Sequence, residues 1–500
     1  MGNKYKASIF NFLFNSFNTV VMIINGIIMV PIYFNYISLS TYGAWLASGN
    51  VVTMLGLLEA GYASVITQKM ASAIAHNDDE QFRKYAGANI SSAIIISVVI
   101  FLFGMSISPF IADWVNAPLD QNEKITKAYV LALLSASISI MVSLFGAFPQ
   151  VWQDTKTVGI ISVVSNLTAI IALIVFLLLG CGVISIPLSY LVRASMNFIV
   201  QGTWILKKWH NLELKTPLFK LDVLIGVLRN CVMPFLSKTS SSLMYHSQSF
   251  LISVFIGPSI SAIYDLTSKV TQCICVFLGN VNGSFFALFA ITINKGNKDE
   301  TQAVFNQVST TYNILLTIAL LFALCFTMPI MYYWVGLKKY GGIVLLTLIV
   351  ISSYTNQTKS FLNNVLYCGG LINKSAKYDI YCMACYLAIL GLLINYIKVY
   401  AIPVALFLST IIFLLFYLKV LKQHIGIDTY FLIYFMKRNI PIVVIFGFIG
   451  IIITIYLGDR PIIAGLLSFC VCLAFIASIL QREKQFKSIM MSHIWKRKAY

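Results

Sequence analysis

Six ionisable residues lie inside long apolar runs of this chain: Glu59, Arg193, Lys238, Asp265, Lys269 and Lys359. A charge at the centre of a bilayer costs about 2.5–3.5 kcal/mol by insertion measurements, so each needs a partner or water. Lys238 and Arg193 fall near the middle of their runs. Lys269 lies roughly ten residues from its run's end, about 15 Å deep at the helical rise. Snorkelling accounts poorly for these three, and better for Lys359 and Glu59 nearer the ends. Asp265 precedes Lys269 by four, the spacing of an ion pair on one helix face. That pair reads either as structural or as part of a site. Lys238 and Arg193 read as lining a wet cavity, with packing against backbone carbonyls as the alternative. Four of the six are cationic, so the interior suits an anionic group.

Two polar helix faces accompany these charges. Asn11, Asn15, Asn18 and Asn25 follow one another at spacings of 4, 3 and 7. Ser242, Tyr245 and Ser249 follow Lys238 at spacings of 4, 3 and 4, with His246 and Gln248 beside them. Such residues hold membrane helices together by hydrogen bonds, or they form a hydrophilic wall for a hydroxyl-rich ligand. Both readings stay open. The chain has no phosphate-binding Gly loop, no H-E-x-x-H and no paired His. Cys382 with Cys385, and Cys273 with Cys275, read as small buried hydrophobes, and neither a metal nor a cofactor is expected. Asp113, Asp120 and Glu123 read as a solvated loop.

These residues must be positioned by membrane helices. The 500 residues are 59% hydrophobic and 10% charged, far below the roughly 25% charge of a globular domain. Apolar runs long enough to cross a bilayer recur fourteen times, from 10–34 to 460–480. The second is 42–68, the seventh 224–256 and the eighth 260–293. The net charge of +18 marks cytoplasmic loops rather than a nucleic-acid partner. Of the 35 Lys and Arg, 25 fall on the side of the termini, six on the other and four inside spans. Both termini are therefore expected in the cytoplasm.

The chain also repeats. Tyr36 to Trp45 lies over Phe255 to Tyr264 at an offset of 219, and His76 to Glu80 over Lys295 to Asp299 near the same offset. Pro109 with Trp114-Val115 lies over Pro329 with Trp334-Val335. Six spans precede each return, so the copies share one orientation and a parallel repeat is expected. The expected division is an N-lobe at 1–207, a cytoplasmic linker at 208–222, a C-lobe at 223–422, two further spans at 423–481 and a basic tail at 482–500. The fold class is thus all-α: about fourteen transmembrane helices in two six-helix lobes, plus two C-terminal helices.

The N-terminal pattern is a polar first helix, then Pro31 to Ile37, then Ser40-x-Tyr42-Gly43-x-Trp45, then Glu59-Ala60-Gly61-Tyr62. It resembles the Wzx-type O-antigen flippases, polysaccharide transporters of the MATE-like (MOP) superfamily. Ser38 stands where that family has Gly, and Ala60 separates the acidic–Gly pair. The residue-level match covers the first seventy residues and the echo near Gly257. The resemblance implies a bacterial inner-membrane flippase. Its cargo would be an oligosaccharide on undecaprenyl pyrophosphate, such as an O-antigen repeat unit, turned to the outer leaflet by alternating access. It would not be an enzyme. Membrane lipids, a polysaccharide polymerase and a chain-length regulator would be its partners. Lys238, Lys269 and Arg193 would then hold the pyrophosphate. Glu59 or Asp265 would take a proton or cation, and the Asn and Ser faces would meet sugars. The rival readings are a peptidoglycan-precursor flippase, a MATE-type cation or drug antiporter, and a membrane glycosyltransferase or polymerase. Spans one and two lack the basic residues of the first rival. A surplus of base disfavours the second. The third is disfavoured by an acid-free first outer loop, Asn35 to Thr41, and by the shortness of all the outer loops.

Overall fold

The computed structural model describes residues 26, 28–59, 61–152, 154–430, 445–453, 455–456 and 460–482. Among them every regular element is a helix. Seven stretches are long and apolar enough to cross a membrane, the last of them, Ile372–Ile425, holding two successive helices. The chain is an all-α, multi-pass membrane protein.

Helix α3 (Asp79–Ile107) shows how such a sequence folds without water around it. Its buried face carries Ala86, Gly87, Ala88, Asn89, Ser92, Ala93 and Ser97, while Ile95, Val98, Val99, Leu102 and Phe103 point outward. Large apolar side chains face hydrocarbon, and small or polar ones let helices approach. Helix α4 (Asn122–Phe145) is stitched to α3. Asn89 Nδ2 donates to the Leu144 carbonyl at 2.9 Å, and Ser97 Oγ to the Ser137 carbonyl at 2.8 Å. Each bond satisfies a polar group that lipid could not.

Contacts divide the chain into two units, Met1–Ala262 and Ile263–Tyr500. The first contains α1 (Leu39–Gly56), α2 (Tyr62–Ala75), α3, α4, α5 (Thr155–Leu178), α6 (Ser185–Asn211) and α7 (Leu221–Phe255). There α4 packs on α6, α3 and α1, and α7 packs on α1, α2 and α3. The second takes most of α8 (Pro258–Ser284), then α9 (Phe286–Asn294), α10 (Lys298–Trp334), α11 (Ile343–Cys368), α12 (Ile372–Ile397), α13 (Ala401–Val420) and α14 (Pro461–Arg482). Its core is aromatic: Tyr312 stacks on Phe361 at 4.9 Å, with Phe289 and Phe305 beside them.

The repeat reappears in the helix starts. Helix α1 begins at Leu39 and α8 at Pro258; α3 begins at Asp79 and α10 at Lys298. The caps repeat too. Asp78 accepts from Gln81 N at 2.9 Å, and Asn297 accepts from Glu300 N at 3.2 Å. Gly43 and Ala262, equivalent in the repeat, lie against each other. A Cβ on Gly43 would stand 3.2 Å from Ala262 N and 1.8 Å from the Pro258 carbonyl oxygen.

Three expected spans are not continuous helices; one of them, 127–149, breaks at Gly146. The run 42–68 breaks into α1, a 3-10 turn at Leu57–Glu59, and α2. The run 260–293 breaks at Phe285 between α8 and α9. Apolar composition marks a span, but it does not report a change of helix axis. The basic tail expected at 482–500 lies almost wholly outside the described residues.

Candidate functional site

The break between α1 and α2 meets a second irregularity. Gly61 adopts φ +88°, a left-handed conformation that favours glycine. A Cβ there would come 3.0 Å from Pro234 Cβ and 3.3 Å from Phe235 N. Pro234 lies inside α7, where it lacks the N–H that would bond to the preceding turn. Two weakened stretches of backbone therefore abut.

Both flanks carry charge. Glu59 ends the 3-10 turn and is half-buried, and its Oε2 is enclosed without a hydrogen-bond partner. Lys238 stands one turn beyond Pro234 on α7 and is exposed. The Glu59 carboxylate faces the Ser143 hydroxyl of α4 and lies in the field of the Lys238 ammonium. The two charges are not closed into a contact: the ion pairs among the described residues do not include them. Sequence spacing did not join Glu59 to Lys238, because 179 residues separate them. Glu59 and Lys238 thus flank one helix break without closing an ion pair.

Arg193, on α6 of the same unit, places its guanidinium 5.4 Å from the Tyr190 ring centroid. Tyr190 in turn lies 6.4 Å from Trp45. No contact of the described residues joins Arg193 to Lys238. Along α7, Ser242 and Tyr245 are half-buried, and Tyr245 meets His246 edge-on at 5.8 Å. Ser249 is buried, and its carbonyl accepts from Ser261 Oγ at 2.8 Å. Asn11, Asn15, Asn18 and Asn25 lie outside the described residues.

In the second unit the expected i,i+4 pair forms. Lys269 Nζ lies 3.5 Å from Asp265 Oδ2, and Asp265 is buried. Gln272 Nε2 donates to Ser268 Oγ at 2.8 Å and reaches Asp265 Oδ1 at 3.4 Å.

Lys359 departs from expectation. It does not snorkel: it is 3% exposed and pairs at 3.2 Å with Asp379, which is fully buried. Tyr417 OH donates to Asp379 Oδ1 at 2.8 Å, and Asn363 Nδ2 to Oδ2 at 3.1 Å. Ser375 Oγ donates to Asn363, and Lys359 Nζ reaches Cys382 Sγ at 3.9 Å. The network ties α11, α12 and α13 together. Asp379 was absent from the six intramembrane charges read from sequence, because it stands near the start of its span. Its neighbours Tyr378, Ile380 and Tyr381 were the available signal. With Asp379 counted, the surplus of interior base shrinks from two to one.

A model of the family described as polysaccharide biosynthesis protein matches residues 10–292. Among solved structures, the chain resembles an inward-facing multidrug resistance MATE family transporter of the MOP superfamily. That TM-score is 0.66 at 14% identity, over 80% of this chain and 93% of that one. It also resembles the lipid II flippase MurJ in an inward closed conformation, with TM-score 0.69 and 13% identity over 95% and 99% of the two chains. At such identities the likeness is one of fold. No curated protein matches the sequence.

Proposed function

This chain belongs to the polysaccharide biosynthesis protein family, and from that premise we propose that it is a flippase for oligosaccharide carried on undecaprenyl pyrophosphate. An O-antigen or similar surface-polysaccharide repeat unit would be turned from the cytoplasmic to the outer leaflet of a bacterial inner membrane. No bond is made or broken in this step. The fold shared with a MATE transporter and with MurJ supports alternating access. The division into lobes around a linker at 208–222, with two spans after the second lobe, belongs to this reading. A polymerase and a chain-length regulator would take the product onward.

The observation that carries the proposal is Lys238, an exposed ammonium at a helix break, within the family-matched residues and facing a carboxylate it does not contact. A pyrophosphate entering the site would replace Glu59 as the partner of Lys238. Glu59, released, would take a proton or a cation. Arg193 and Lys269 would contribute charge along the path, with Asp265 as a second acid. Ser242, Tyr245 and Ser249, with the Asn face of the first span, would meet sugar hydroxyls.

The test is Lys238→Ala in cells that depend on this chain for surface polysaccharide. Loss of a charge-assisted contact weakens cargo binding by roughly 10- to 100-fold. Lipid-linked oligosaccharide should accumulate on the inner leaflet while the protein inserts normally. Lys238→Arg should keep partial export, since phosphate accepts either cation. Wild-type export by Lys238→Ala would remove the pyrophosphate role.

One observation favours a second reading. The likeness to MurJ, named a lipid II flippase, extends over 95% of this chain. A peptidoglycan precursor as cargo would be revealed by rescue of cells depleted of their own lipid II flippase.

A further inference from the structure

The connector between α6 and α7 is bound along its length. Arg83 Nε, on α3, donates to the Thr216 carbonyl at 2.8 Å. Leu218 N donates to the Arg83 carbonyl at 3.1 Å. Trp209 Nε1 donates to the Leu214 carbonyl at 3.0 Å. Gly87 clears the way: a Cβ there would lie 2.2 Å from the Leu218 carbonyl oxygen. The segment is therefore a strap docked on the first turns of α3.

Rings fix its depth. Trp209 stacks on Phe82 at 5.8 Å and meets Phe148 at 6.0 Å and Trp152 at 6.3 Å; Trp152 meets Trp204 at 5.8 Å. Clusters of Trp at the end of membrane helices sit at the headgroup level. The outward face of the strap, with the helix ends it joins, alternates two kinds of side chain. Leu206 is 72% exposed and Phe219 59%, with Leu212 and Leu221 also exposed. Lys207, Lys215 and Lys220 are exposed between them, and Lys208 is half-buried. The acids on this face are Glu213 and Asp222; Glu80, nearby, is paired with Lys84. Apolar side chains at acyl depth, with cations just above them, are complementary to anionic lipid.

We propose that this strap is a binding surface for anionic phospholipid headgroups in the leaflet on the Lys-rich side of the membrane. Leu206, Leu212, Phe219 and Leu221 enter the acyl boundary, and the four lysines meet phosphates. The inference depends on α6 and α7 crossing a bilayer. It does not depend on which cargo is carried.

The full-length protein is purified and titrated with phosphatidylglycerol in mixed micelles, with phosphatidylcholine as reference and retained lipid read by native mass spectrometry. Wild type should prefer phosphatidylglycerol, less so at high salt. Replacing Lys207, Lys208, Lys215 and Lys220 together by Gln should weaken that binding by at least about tenfold. Replacing them by Arg should preserve it. Replacing Lys338, Lys339 and Lys398 by Gln should leave it unchanged, since these lie on the other side. Equal retention of both lipids by wild type, or undiminished binding by the Gln variant, would overturn the proposal. So would a strap that binds undecaprenyl pyrophosphate but not phosphatidylglycerol, which would make it a cargo-loading surface.

Discussion

Lys359 and Asp379 show what a single buried charge requires. The Asp379 carboxylate receives Lys359, Tyr417 and Asn363, so both of its oxygens are satisfied in a dry interior. Removing one member of such a pair leaves the other charged and unpaired, which costs about 3–5 kcal/mol. Replacing both by apolar residues of similar size is often close to neutral. Lys359→Ala should therefore lower thermal stability in detergent sharply, whereas Lys359→Met with Asp379→Leu should recover most of the loss. A single variant as stable as wild type would mean that the pair is not closed in the protein. Sequence could find Lys359, because an ammonium in an apolar run stands out. It could not find the partner, because the two residues are twenty apart on different helices. For Glu59 and Lys238 the same limit applied more strongly: each was legible as a candidate, but their juxtaposition belongs to the fold.

At the scale of elements, the sequence was most legible where local chemistry repeats. Asp78 and Asn297 cap equivalent helices because a short polar side chain at that point satisfies free N–H groups. That signal survives in the letters. The break at Leu57–Glu59 leaves no comparable mark, since Gly61 is one of four glycines in the apolar run 42–68 and its need for φ +88° appears only beside Pro234. The docked strap was equally hidden. Its hydrogen bond from Arg83 to Thr216 spans 133 residues, so a polar connector looked like a free linker. Gly43 supplies the test of close approach. A Cβ there would meet backbone at Pro258, 1.8 Å from its oxygen and 2.6 Å from its carbon, and backbone cannot rotate aside. Gly43→Ala should destabilise the protein by about 1–3 kcal/mol, the range of overpacking. Gly49→Ala, whose Cβ would have Trp45 at an ordinary 3.7 Å, should be tolerated. Thermal midpoints of the two variants decide it, and equal midpoints would mean that α1 can shift away from Pro258 freely.

For the whole molecule, the fourteen-span reading assigns 25 of the 35 basic residues to the side of the termini and six to the other. Lys and Arg are retained on the cytoplasmic side during insertion, so the count predicts where reporters function. The structure indicates where one can be placed without damage. Asn116 is a poor point of insertion: it has φ 51°, and its Nδ2 donates to the carbonyls of Ser253 and Val254 at the end of α7. Leu119, 91% exposed at the start of the 3-10 turn in the same connection, is the more open point. A phosphatase active only outside the cytoplasm should work when inserted at Leu119 and fail when fused after Tyr500. A fluorescent protein that folds only in the cytoplasm should give the reverse. The two sites are separated by an odd number of the proposed crossings, from the fourth to the fourteenth. Opposite outcomes at Leu119 and Tyr500 would therefore support the odd number, and cytoplasmic activity at Tyr500 would fix the orientation. Activity of the phosphatase at both sites would require one crossing more or fewer between Leu119 and Tyr500, and would remove the count of fourteen spans.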